Sequence, residues 1–318
     1  MKDSAPASPL DSAQNPAMTR WVHPKVILVA TDLSDLDQLI PLAVEQASET
    51  RARLLLLHVL PAAASLTADE SGMPYYDPAG AFNFAAKTLE PWCEFMRRKD
   101  IACEALVRRW NPAQQILSVA RQFRADRVIL GTRSRSRLSK LLLGSVAEQV
   151  LCSINLPVVT VGPDAQIQSN AEPHDRVVLH ATTLRENSRP SAELACRVAA
   201  RQSAKLVLLH VLPPLDSARS DLPLEKELLS GGAGCTNGSA GLDSAVMNEL
   251  REFAAEVSAD CGIAVESHVV HGNPSIEILA EAFKRRASLI VLGARHHTLR
   301  EPQTEPAAAE TELLAIPL

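Results

Sequence analysis

The sequence predicts an α/β protein made of two copies of one small domain, each a parallel sheet covered by helices. Three observations carry this. Short aliphatic runs such as residues 25–30 and 53–60 show no alternation, the pattern of a strand buried on both faces. Segments with helical spacing separate them, and strands alternating with helices imply βαβ units. The same pattern then recurs along the second half of the 318 residues, as it does after an internal duplication.

In the first copy, the run 25–30 ends in Thr31-Asp32-Leu33-Ser34. Residues 37–50 place Leu39, Leu42, Ala43 and Ala47 on one side of a helix, with Pro41 tolerable if it falls in the first turn. A strand over 53–60 follows, then a helix over 84–99 and a strand over 102–109. Pro112 opens a helix that runs to about Phe123. Residues 126–131 are predicted as strand, 145–152 as helix and 157–161 as a last strand, which makes a five-stranded sheet.

The second copy echoes these elements in order. Lys25-Val26-Ile27-Leu28 returns as Arg176-Val177-Val178-Leu179, and Leu56-Leu57-His58-Val59-Leu60-Pro61 returns unchanged at 208–213. Trp110-Asn111-Pro112 is matched by Gly272-Asn273-Pro274, and Val128-Ile129-Leu130-Gly131 by Ile290-Val291-Leu292-Gly293. Residues 1–20 have little to bury and are predicted to be a disordered tail. Residues 21–162 form the first domain, 163–174 a polar linker and 175–318 the second domain. Residues 214–243, which include Gly231-Gly232-Ala233-Gly234, predict a long connection after that domain's second strand. Its last strand would begin near Leu318, judged from the spacing of Gly131 and Pro157. The second sheet is therefore expected to lack a fifth strand, or to have that segment put to another use.

Composition excludes several classes. Hydrophobic residues are 46% and aromatics only 3%, so the core must be aliphatic. A net charge of −5 argues against a nucleic-acid or acidic-membrane binder. No apolar stretch approaches the roughly 20 residues of a membrane helix. The N-terminal residues lack a signal peptide's apolar segment. The six cysteines form no C-x-x-C pair, which predicts free thiols in a reducing cytoplasm.

The chemistry concentrates in residues 131–145, which leave a strand, carry Arg133, Arg135, Arg137 and Lys140, and enter a helix at Gly144-Ser145. Ser145 and Glu148 fit a capping box, and a helix start with free N–H groups suits an anion. Glycine at 131 and 144 lets backbone approach a phosphate. A solvated arginine face is the alternative from local residues alone. Asp32 ends the first strand. In a 3-2-1-4-5 strand order, Asp32 and Gly131 face one crevice at the point where the order reverses, where such sheets bind ligands.

These residues identify a resemblance. The chain resembles the universal stress protein family in its tandem form, well over 25–162 and moderately over 175–293. The resemblance implies two Rossmann-like domains of the adenine nucleotide α-hydrolase type, and ATP held by the G-2x-G-9x-G-[S/T] loop after a strand-end Asp. Asp32, Gly131, Gly144 and Ser145 match that pattern. Thr31, Thr132, Arg133 and Val146 flank it, and Ala30 and Val59 stand where the family contacts adenine. Ser134 replaces the middle glycine, and Trp110 replaces the glycine of a G-x-P turn. In the second copy Thr183 stands at the Asp position, and no Gly-Ser pair follows Gly293 at the right distance. The resemblance further implies a cytoplasmic stress-response module and an intramolecular pseudo-dimer of the two domains, with a further homodimer as an option. Two alternatives stay open: a slow ATPase using Mg2+ bound through the phosphates, and a nucleotide-free interaction protein.

Other signals are weaker. Ser230-Gly231-Gly232 lacks a preceding first strand, so a pyrophosphate loop is not expected there. His296-His297 has no ligand partner at metal spacing. His58 and His210 occupy one place in both copies, which predicts a structural role. No catalytic triad can be assembled.

Overall fold

The computed structural model describes residues 20–61, 66–68, 74–132, 144–162, 176–185, 188–214, 238–294 and 312–317. They divide into two compact units. Unit 1 runs β1 (Val26–Thr31), α1 (Leu36–Thr50), β2 (Arg53–Leu60), a two-stranded antiparallel pair of β3 (Leu66–Ala68) and β4 (Pro74–Tyr76), α2 (Pro78–Arg97), β5 (Cys103–Arg109), α3 (Pro112–Gln122), β6 (Arg127–Gly131), α4 (Ser145–Leu151) and β7 (Val158–Val161). Its main sheet is parallel in the order β5-β2-β1-β6-β7, which is the 3-2-1-4-5 arrangement. Ile27, Leu28, Val29 and Leu54 to Leu57 are fully buried, as non-alternating strands of a sheet covered on both faces should be.

The leading end of β1 is clamped by a buried carboxylate. Asp126 accepts from the main-chain N–H of Lys25 at 2.8 Å and of Val26 at 3.1 Å, and from Arg20 Nε at 2.7 Å. The neighbouring Arg127 is also buried and donates to Gln46 Oε1 at 2.8 Å.

Several elements differ from the sequence reading. Helix α2 starts at Pro78 rather than near 84, because Asp77 caps it and accepts from Gly80 N at 2.8 Å. The β3–β4 pair is too short to show a period. Helix α1 opens at Leu36, so Pro41 lies inside the helix and past its first turn. Leu39, Leu42, Ala43 and Ala47 are buried, as predicted.

Unit 2 contains β8 (Val177–Ala181), α5 (Arg189–Arg201), β9 (Lys205–Leu212), α6 (Gly238–Cys261), β10 (Val265–His271), α7 (Pro274–Lys284) and β11 (Leu289–Ala294). Its sheet is parallel in the order β10-β9-β8-β11, four strands in the same arrangement without the fifth. A final strand, β12 (Glu312–Pro317), starts before the expected position near Leu318. It pairs with β7 through Leu314↔Val158 and Ala315↔Val159, inside unit 1. Most of the 214–243 connection lies outside the described residues, and α6 begins at Gly238. Arg189 ties α5 to α6, reaching Glu256 at 2.8 Å and Asp260 at 3.1 Å.

Trp110 and Gly272 occupy the same turn in the two units. Each donates its N–H to the end of the second strand, Trp110 to Leu60 O at 3.0 Å and Gly272 to Leu212 O at 2.9 Å. The next residue then caps a helix, with Asn111 accepting from Gln114 N and Asn273 from Ser275 N, both at 3.0 Å. The turn needs positive φ: +148° at Gly272 and +89° at Trp110. A bulky residue at positive φ costs about 1–3 kcal/mol, while glycine adds roughly 0.5–1 kcal/mol of unfolded-state entropy. Trp110→Gly is therefore expected to stabilise unit 1 by about 1 kcal/mol, read as a higher urea midpoint.

His180 takes the β8 place that Val29 holds in β1 and is fully buried. Its Nδ1 bonds Val291 O at 3.0 Å, and burial pushes its pKa down to about 4 from 6.5. As pH falls below 6.5 the unfolded chain takes up a proton that the folded unit refuses until about pH 4. Unit 2 therefore loses stability as pH falls across that window, by about 3 kcal/mol in total at 1.36 kcal/mol per pKa unit. His180→Val should flatten this acid loss, which denaturant midpoints measured across the window will show.

Candidate functional site

The strand order of unit 1 reverses between β1 and β6, which pair through Ala30↔Leu130. Asp32 follows β1, and Gly131 and Thr132 end and follow β6, so these residues emerge side by side from the carboxyl edge of the sheet. Ala30 and Thr31 are buried in the strand end, while Asp32 is exposed. The β1 ladder stops at Thr31↔His58, whereas β2 pairs with β5 as far as Leu60↔Arg109. Val59 therefore lies just past the end of β1, on the same edge.

A short turn shapes the crevice. The Thr31 hydroxyl accepts from Leu33 N at 2.9 Å, and Leu33 has φ +76°. Asp32 Oδ1 accepts from Ser34 N at 2.9 Å and Ser34 Oγ at 2.6 Å. The His58 ring bonds the Thr31 carbonyl through Nδ1 at 2.9 Å, the structural role predicted for it.

Asp35 is the residue that sequence reasoning missed. Its carbonyl accepts the first α1 bonds, from Gln38 N and Leu39 N, both at 3.0 Å. Its carboxyl accepts from Thr31 Oγ1 at 2.5 Å and lies over Gly131. A Cβ on Gly131 would overlap Asp35 Oδ2 and come 3.2 Å from Cγ. Burial first, and the nearby Asp32 charge second among the raising effects, push the Asp35 carboxyl above its usual pKa. The available signal was its residue type: Asp directly before a helical run is a capping candidate.

On the far side, Thr132 donates its N–H to Val161 O at 2.8 Å. Gly144, not Ser145, is the N-cap of α4, and the carbonyl of Gly144 accepts from Glu148 N at 3.0 Å. The capping box is therefore corrected. Ser145 is the first helical residue and is exposed, and no side chain caps the helix. Val146 is half-buried in that first turn. Arg133 and Ser134, with the rest of 133–143, lie outside the described residues, as do His296 and His297.

Unit 2 keeps the turn and loses the carboxylate. Thr182 Oγ1 accepts from Leu184 N at 3.1 Å, Leu184 has φ +56°, and His210 Nδ1 bonds Thr182 O at 2.9 Å. Thr183, in the place of Asp32, pairs with Ser188 Oγ at 2.9 Å. Among the described residues no cluster of His, Cys, Asp and Glu is suited to a metal ion, and no helix is long and apolar enough to cross a membrane.

A parallel sheet in this order, occurring in both units, defines a tandem Rossmann-like α/β protein. The sequence model of the universal stress protein family matches residues 24–162 and again 176–302, and the chain belongs to that family. A universal stress protein of Thermus aquaticus is 31% identical over 144 residues, which is 43% of this chain and 98% of that protein. Universal stress protein YxiE of Bacillus subtilis is 29% identical over 143 residues, 42% and 97% of the two chains. Among solved structures, a universal stress protein from Archaeoglobus fulgidus superposes with a TM-score of 0.57 at 20% identity, covering 84% of this chain and 85% of its own. Protein PA1789 from Pseudomonas aeruginosa superposes with a TM-score of 0.58 at 15% identity, covering 94% and 95%. At these identities the superpositions establish the fold alone.

The Asp35–Gly131 contact is testable by a double-mutant cycle. Gly131→Ala should cost about 1–2 kcal/mol through overpacking. Most of that cost should vanish in an Asp35→Ala background, giving coupling above about 0.5 kcal/mol. Additive losses would mean the two positions do not touch.

Proposed function

We propose that unit 1 binds ATP at the switch point and that unit 2 does not, the chain acting as a nucleotide-responsive binding module in the stress response. The observation that carries this reading is the emergence of Asp32 and Gly131 from adjacent strand ends, together with family membership. The donor set suits a nucleotide. Asp32 offers an exposed carboxylate for ribose hydroxyls, and Ala30 and Val59 offer buried apolar positions beside the base. The uncapped start of α4 at Gly144, Ser145 and Val146 offers main-chain N–H groups to phosphate. Gly131 and Thr132 stand at the same strand edge, and Arg133 and Ser134 follow them in the sequence. Any Mg2+ would arrive on the phosphates.

A nucleotide-free interaction protein is the competing reading, favoured by the exposed Trp110. Hydrolysis has less support, since this reading assigns Asp32 to the sugar and the Asp35 carboxyl is held by the Thr31 hydroxyl.

The test is release and identification of nucleotide from the purified chain, with titration of wild type and Gly144→Asp. Aspartate is a good N-cap, so this variant keeps α4 while placing a negative charge against the phosphates. ATP in the wild type and at least a roughly tenfold weaker Kd in the variant, about 1.4 kcal/mol, are expected. Absence of ATP binding by the wild type would overturn the reading, and ADP accumulating with the wild type alone would favour the enzyme.

A further inference from the structure

We propose that Cys93 and Cys103 form a reversible disulfide in unit 1, a modification site with a peroxide as its oxidant. The inference is independent of nucleotide binding. The two sulfurs lie 3.2 Å apart and their residues ten positions apart in the chain. Cys93 comes from α2 and is fully buried, while Cys103 opens β5 and is half-buried. A disulfide needs about 2.05 Å, so the sulfurs must close by about 1 Å. Both are thiols in the reduced chain.

Their hydrogen bond prepares the chemistry. It lowers Cys93 from the usual thiol pKa and raises Cys103. On ionisation, one thiolate is held against one thiol, and a single proton can pass between the two sulfurs. The thiolate is the reactive form. Solvent reaches Cys103 and not Cys93, so peroxide meets Cys103, which reacts in the form where the shared proton sits on the Cys93 sulfur. Its sulfur takes one peroxide oxygen, the O–O bond breaks and water leaves, which makes a sulfenic acid. The Cys93 sulfur then attacks the Cys103 sulfur. The S–S bond forms, the S–O bond breaks and the departing hydroxide takes a proton as a second water. Two thiols and one peroxide become one disulfide and two waters.

The bond would staple β5, an edge strand of the unit 1 sheet, to the helix packed beside it. Unit 2 carries a second thiol pair on different elements. Cys196 of α5 is buried and donates to Val257 O at 3.5 Å, and its neighbour Cys261 of α6 is half-buried. The two pairs therefore do not descend from one duplicated position.

Tryptic mapping of the full chain tests the proposal. The protein is treated with hydrogen peroxide, quenched with N-ethylmaleimide and digested without reductant. Cleavage after Arg97 and Lys99 puts Cys93 in peptide 88–97 and Cys103 in peptide 100–108. The two peptides should appear joined, two hydrogens lighter than their sum, and separate on adding dithiothreitol. In Cys93→Ser the joined species should vanish and dimedone should label Cys103. The wild-type readout requires no variant, so a poorly folded Cys93→Ser leaves the test intact. Both peptides alkylated at a peroxide dose that oxidises glutathione, or Cys103 joined to another cysteine in preference to Cys93, would overturn the proposal.

Discussion

Strand β1 is buried on both faces and paired on both edges, so every polar group at its two ends must find a partner inside the protein. The leading end is held by the Asp126 carboxylate on the Lys25 and Val26 amides. The trailing end is held by the His58 ring on the Thr31 carbonyl and by the Thr31 hydroxyl on Leu33 and Asp35. These bonds decide where the chain leaves the sheet. They thereby set the direction of Asp32 and the start of α1, and the crevice beside β6 inherits its shape from them.

Aliphatic runs without alternation were enough to place the strands, and collinear repeats were enough to reveal the duplication. The meeting of Asp32 with Gly131 was legible because strand order follows from connectivity once the sheet is known to be parallel. Asp35 was not legible. Its role depends on a contact with a glycine 96 positions away, and nothing local to either residue announces it. The sequence motif explains Gly131 by close approach of a phosphate; the structure gives it a second reason, room for the Asp35 carboxyl. The cap falls at Gly144, one residue before the better capping side chain of Ser145, because the main chain bends at the glycine.

The two units preserve backbone shape more faithfully than side-chain chemistry. Thr31 and Thr182 form the same strand-end turn, and His58 and His210 bond equivalent carbonyls. Asn111 and Asn273 cap equivalent helices. Asp32 and Thr183 differ within that constant frame, as do Val29 and His180. The turn at Trp110 extends the pattern to a residue poorly suited to it, since the left-handed conformation is kept where the glycine is not.

Strand β12 separates the repeat from the unit. By sequence it follows β11 and belongs to the second copy, but by hydrogen bonding it extends the sheet of the first. Dividing the chain at the polar segment 163–174 would therefore not yield two intact halves. The N-terminal fragment would carry β7 as a bare edge, with unpaired amides and carbonyls open to any strand-like segment nearby. The C-terminal fragment would carry β12 without the β7 edge it pairs with. Mixed in solution, the fragments would have a ready means of finding each other, and kept apart, each would have a reason to self-associate.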